Sequence, residues 1–188
     1  MMTLAAEELL VRRPARADAR RNYDALIEAA RHGFAELGTA APLEEIARRA
    51  NVGIATLYRN FPTREALIGS VYLEEVDAVC QAAEAVADLE PWPALRTWID
   101  RLVEYVGTKR VLVEAMNRNS STFGVCREAL YAAGAPLLRR GQEAGVIRND
   151  IGIEDLIRLV TGVTGSSFAT IEQRDRVLAI ALDGLRAR

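Results

Sequence analysis

Few side chains in this 188-residue chain have the chemistry of a catalyst. His32 is the single histidine, and Cys80 and Cys126 stand 46 positions apart. That excludes a His-rich metal centre, a cysteine-based zinc site and a disulfide framework. Two carboxylate pairs, Glu44-Glu45 and Glu74-Glu75, are direct neighbours, and adjacent side chains on a helix diverge by about 100°, so neither pair shares a site. No dinucleotide-binding glycine motif, P-loop, serine elbow or His-Glu-x-x-His is present. The chain reads as a non-enzyme with no metal and no cofactor. What it does carry is arginine. Leu9 to Arg64 holds ten Arg against six Asp and Glu, a balance of +4, while Glu65 to the end holds fourteen basic against eighteen acidic residues, a balance of −4. The whole-chain charge of −2 hides this asymmetry. A basic first third on an acidic body suits local phosphate contact. Arginines on solvated faces would give the same count, since Lys109 is the only lysine.

These arginines need elements to aim them. Apolar residues at Tyr23, Leu26, Ile27, Ala30, Phe34 and Leu37 predict a first helix from about Ala15, stopped at Gly38. Pro42 suits the first position of a short second helix through Leu43, Ile46, Ala47 and Ala50. Asn51-Val52-Gly53 breaks it, because Asn and Gly tolerate a tight turn. A third short helix, Ile54 to Phe61, points Leu57 and Phe61 inward and leaves Thr56, Arg59 and Asn60 off that face. Thr63 caps a long fourth helix to about Asp88. Leu89-Glu90-Pro91-Trp92-Pro93 is a break. Further helices are expected at about 93–107, 109–117, 122–144, 153–171 and 173–187, with Gly134-Ala135-Pro136 kinking or splitting the third of these. No stretch alternates like a strand. The expected fold is all-α with about nine helices. Two domains are expected, residues 1–62 with an N-terminal arm and residues 63–188, both helical. Arg12, Arg13 and Arg16 are either an arm reaching a minor groove or a plain tail.

Residues 43–61, LEEIARRANVGIATLYRNF, have the form of a helix-turn-helix. Such a pair lets the second helix stand clear of the body and enter a major groove about 12 Å wide. The free amides near Leu43, at the start of the first helix of the pair, can meet a phosphate. The stretch Gly38–Leu67, and above all TLYRNFPTREAL from Thr56 to Leu67, resembles the DNA-binding domain of the TetR family of bacterial transcriptional regulators. The motif match covers about Tyr23 to Leu73.

The resemblance implies three DNA-binding helices followed by a six- or seven-helix regulatory domain. It places Thr56, Tyr58, Asn60 and Arg64 on phosphates and turns Ile54, Ala55 and Arg59 toward base edges. Ile54 and Ala55 have no hydrogen-bonding side chain, so they read only a thymine methyl or groove shape, while Arg59 suits a bidentate guanine contact. The family's last two helices build a four-helix dimer interface, which points to Leu159, Gly162, Val163, Ser166, Leu178 and Leu182. Its regulatory domain holds a small-molecule effector, for which Trp98, Tyr105, Met116 and Phe123 are candidate lining; ordinary core packing explains the same residues. The implied function is a ligand-responsive homodimeric regulator, a repressor on a pseudo-palindromic double-stranded DNA operator. The rival reading is an all-α interaction or ligand-binding module of the same fold with weak or lost DNA binding. No apolar run approaches the roughly 20 residues a membrane helix needs, and neither the N-terminus nor the cysteine use suits export. The expected location is the cytoplasm.

Overall fold

The computed structural model describes residues 13–113, 116 and 121–187. Among them are eight helices and no strand: α1 (Ala17–Leu37), α2 (Leu43–Arg49), α3 (Ile54–Asn60), α4 (Arg64–Ala85), α5 (Pro91–Val113), α6 (Ser121–Glu143), α7 (Ile153–Thr164) and α8 (Ile171–Asp183). The all-α architecture is therefore as the periodicity predicts. One isolated antiparallel bridge joins Ile147 to Arg186. The chain divides into two compact units. One takes in the residues up to Glu75 with Thr108–Val125, and the other Val76–Gly107 with Cys126–Arg188. No helix among the described residues is long and apolar enough to cross a membrane.

In the first unit, α1 buries Tyr23, Leu26, Ala30 and Phe34. Ile46 and Ala47 of α2, Leu57 of α3 and Phe61 just after it are equally buried. The Tyr23 and Phe61 rings lie 5.1 Å apart at 38°. Gly33 lets α1 approach α2 closely, since a Cβ there would sit 3.3 Å from Ile46 Cγ1. Gly38 ends α1 with φ of 71° and its N–H donating to Phe34 O at 2.9 Å, a conformation that suits glycine. Leu37, expected on the inner face, is exposed at the last position of α1. Pro42 precedes α2 rather than opening it. Asn51 carries the left-handed residue of the α2–α3 turn, with φ of 54°; its short polar side chain makes it one of the few non-glycine residues that adopt this region readily. Thr63 caps α4 as expected, its Oγ1 accepting from Ala66 N–H at 3.1 Å.

The expected helices at 93–107 and 109–117 join through Gly107 in one element, α5, as far as Val113; residues 114, 115 and 117 lie outside the described ones. Gly107 stays helical, because a lone glycine weakens a helix by about 1 kcal/mol without breaking it. Pro136 likewise lies inside a continuous α6, so of the expected kink or split the split does not occur. α7 ends at Thr164, earlier than expected, and Gly165 donates to Thr161 O at 2.9 Å. α8 begins at Ile171 because Thr170 Oγ1 accepts from Gln173 N–H at 3.2 Å while Gln173 Oε1 accepts from Ala169 N–H at 3.0 Å, a reciprocal cap. Trp98 is fully buried, and its indole N–H donates to Val79 O at 3.1 Å. A Cβ at Gly134 would lie 2.7 Å from Ile153 Cδ1 and 2.8 Å from Trp98 Cζ3. Gly134→Ala is therefore expected to destabilise the protein by about 1–3 kcal/mol despite alanine's better helix propensity, because overpacking a filled core outweighs it. Urea denaturation checks this, and a variant as stable as the wild type would contradict it.

Candidate nucleic-acid interface

α2 and α3 are seven-residue helices, too short to persist alone. Their inner residues, Leu43, Ile46, Ala47, Leu57 and Phe61, hold them against α1. Burying Leu57 and Phe61 turns the opposite side of α3 outward. Ile54, Ala55, Tyr58 and Arg59 are all exposed, at 37% for Ile54 and 47% for Tyr58. Positions i, i+1, i+4 and i+5 make one stripe along the helix. Thr56 and Asn60 lie half-buried at its flank, and Asn60 Nδ2 donates to Thr56 O at 2.8 Å. Leu43 buries its side chain and offers only its backbone to the outside. Arg64, at the start of α4, is half-buried. Its Nη1 donates to Thr39 O at 3.0 Å and Ala41 O at 2.5 Å, which ties α4 to the loop between α1 and α2.

Most arginines of this unit are occupied by the chain itself. Arg13 grips Asp24 through two bonds of 2.8 and 2.7 Å. Arg21 pairs with Asp18. Arg31 pairs with Glu28 at 2.6 Å and lies 3.7 Å from the buried Glu75. Arg48 and Arg49 both bond Glu45, and Arg49 also reaches Glu36, all at 2.8 Å. Arg59 is different: among the described residues nothing bonds its guanidinium, which stands on the outward stripe. Arg16 and Arg20, at the start of α1, are also unpaired among the described residues; Arg12 lies outside them. The count of arginines in the sequence thus overstates the free positive charge of the unit.

The Glu45 carboxyl, held by hydrogen bonds from Arg48 and then Arg49, is lowered from 4.5 to about 2. A depressed carboxylate stabilises the fold above its unfolded pKa and loses that contribution as pH falls through the folded value. The α2 ion-pair cluster is expected to hold above pH 4.5 and to come apart as pH falls toward 2. An NMR titration of the Glu45 carboxyl carbon checks this, and an ordinary carboxylate midpoint would contradict it.

Comparison with known proteins identifies what this arrangement belongs to. Residues 26–71 match the family model described as Bacterial regulatory proteins, tetR family, and residues 90–187 match Transcriptional regulator SbtR-like, C-terminal domain. The structure of a TetR transcriptional regulator from Streptomyces coelicolor superposes with a TM-score of 0.77 at 37% identity, covering 87% of this chain and 98% of that one. The chain belongs to the TetR family. A TetR transcription regulatory protein from Mycobacterium vanbaalenii is also similar, with a TM-score of 0.75 at 32% identity over 93% of this chain and 100% of that one. An HTH-type transcriptional repressor of Streptomyces coelicolor is 27% identical over 86% of this chain and 85% of its own length. This TetR-family chain is a transcriptional regulator whose helix-turn-helix is α2 and α3.

The other sequence candidates of the TetR-family chain lie as follows. Trp98 and Tyr105 are buried in the second unit. Met116 and Phe123 belong to the first unit, where Phe123 meets Tyr72 edge-on at 5.3 Å. On α7, Gly162 is exposed and Leu159 and Val163 half-buried, and Ser166, just beyond its end, is exposed. On α8, Leu178 and Leu182 are buried within the subunit itself, at 3% and 0% exposure. The apolar residues that α8 leaves open are Ile171, Val177 and above all Ile180, at 72%. Sequence reasoning missed Ile180. The signal was its position three residues after Val177, a second apolar edge on a helix already supplied with an inner one.

Proposed function

We propose that the protein is a homodimeric, ligand-responsive repressor that binds a pseudo-palindromic DNA operator through residues 43–64 of each subunit. The observation that carries this reading is the outward stripe of α3, which presents the one unpaired guanidinium of the helix-turn-helix beside Tyr58, Ile54 and Ala55 while neighbouring arginines are neutralised. Arg59 reads a guanine edge in the major groove. Tyr58, Thr56 and Asn60 offer hydroxyl and amide groups to flanking phosphates. Arg64 reaches a phosphate with the N–H groups its carbonyl bonds leave unused. The backbone at Leu43 adds a further contact.

Dimerisation supplies the second half-site. The faces of α7 and α8 left open by intrachain packing, with Leu159, Gly162, Val163, Ser166, Val177 and Ile180, form the proposed interface. Thr161, Thr164 and Ser166 donate to Ile157 O, Val160 O and Gly162 O within 2.9 Å, so their hydroxyls enter an interface already satisfied. Leu178 and Leu182 support that face from beneath. A small-molecule effector acts from the second unit, with Trp98 and Tyr105, two turns apart on α5, as the aromatic candidates. It shifts operator affinity only through different affinities for the DNA-bound and free arrangements.

A mobility-shift titration on random duplex at low salt tests the reading. Binding that weakens with rising salt supports it. No binding at micromolar protein favours the rival, an all-α ligand-binding module that has lost DNA binding. Arg59→Ala is expected to cost about 1–3 kcal/mol on the specific site and little on random DNA. Equal losses on both would show that Arg59 meets phosphate rather than a base.

A further inference from the structure

Gly53 opens α3 in ordinary extended backbone, with φ of −72° and ψ of 149°, and makes no side-chain cap. A Cβ built there would meet nothing within 4 Å. Neither backbone conformation nor packing within the chain requires glycine at this position, and a residue with a capping side chain would serve the helix better. The next two residues, Ile54 and Ala55, are exposed and can make only apolar contacts. The single base-reading polar group on the stripe is Arg59, one turn further along.

We infer that the operator half-site carries a thymine whose 5-methyl group packs on Ile54 and Ala55, and that Gly53 is kept bare as clearance for the DNA rather than for the fold. The inference rests on the DNA-binding reading above and deepens it. DNA is the occupant because an unpaired guanidinium and an exposed phenol share the stripe with the apolar pair. The thymine methyl is the one apolar group that base edges present in the major groove. Gly53 brings that edge close enough for contact. Recognition of each half-site then divides between one guanidinium and one methyl group.

The test uses duplexes selected by the full-length protein from a random library and resynthesised with uracil at each thymine in turn. Uracil keeps every hydrogen bond and deletes the methyl group. Burying one methyl group is worth about fourfold in affinity, so the expected result is a roughly fourfold loss at one thymine per half-site. Ile54→Ala is expected to abolish the discrimination between thymine and uracil there, with circular dichroism unchanged. Gly53→Ala is expected to weaken binding to the selected duplex at least severalfold with circular dichroism unchanged, although alanine is a poorer N-cap than glycine. Indifference to uracil at every position would overturn the methyl contact even though DNA binding stands. Wild-type affinity in Gly53→Ala would overturn the clearance role. Failure to select any duplex would instead count against the DNA-binding reading itself.

Discussion

Phe61→Ala is expected to destabilise the first unit by about 3–5 kcal/mol and to abolish operator binding. Phe61 is fully buried, with its ring 5.1 Å from that of Tyr23. It also ends α3, its N–H donating to Leu57 O at 2.7 Å. Deleting the ring loses its transfer free energy and leaves a cavity beneath a helix of only two turns. Such a helix has no stability of its own to resist the loss. Since a domain's net stability is about 5–15 kcal/mol, about a fifth of it or more is at stake. Phe61→Leu keeps most of the volume and is expected to cost less, under about 1.5 kcal/mol. Urea denaturation followed by helix signal measures both. A cost below about 1 kcal/mol for the alanine variant would show that Phe61 does not pin α3.

Ile180→Arg is expected to convert the protein into a folded monomer with operator affinity reduced about 100-fold or more, the loss that follows when two linked sites bind separately. Ile180 is 72% exposed in the single subunit, so arginine there disturbs no intrachain packing. In a twofold interface the residue lies close to its own copy or to the partner's apolar face, and either places a guanidinium where it is desolvated without a counter-charge. Sedimentation at micromolar concentration reads the assembly, and denaturation confirms that the fold is kept. A variant that still dimerises would move the interface elsewhere. A monomer with undiminished operator affinity would break the link between symmetry and recognition.

The fold was largely legible because the strongest sequence signals were helical periodicity and stop residues. Gly38 at the end of α1 and Thr63 at the start of α4 acted as their chemistry implies. The expected boundary at 107–109 does not occur, α5 running through Gly107, and Pro136 lies inside a continuous α6. α7 ends at Thr164 rather than 171, and α8 begins at Ile171 rather than 173, where the Thr170–Gln173 cap starts it. For the site, the burial of Leu57 and Phe61 fixed which side of α3 faces out, and that much follows from spacing alone. What spacing does not contain is how charges pair across elements. Arg49 meets Glu36, 13 residues away, and Arg64 meets two loop carbonyls more than 20 residues back. These long-range partners decide which arginines remain free. For the same reason a residue such as Leu182, apolar on an amphipathic helix, reads equally as core or interface until the packing of α7 on α8 is known.

The most direct test of the central claim is selection of bound fragments from random or genomic duplex DNA by the full-length protein. The account predicts enrichment of an inverted repeat whose half-sites lie about one helical turn apart, roughly 34–36 Å, each containing a guanine lost in importance when Arg59 is replaced by alanine. Enrichment of a single unrepeated motif, or of nothing above background, would contradict it.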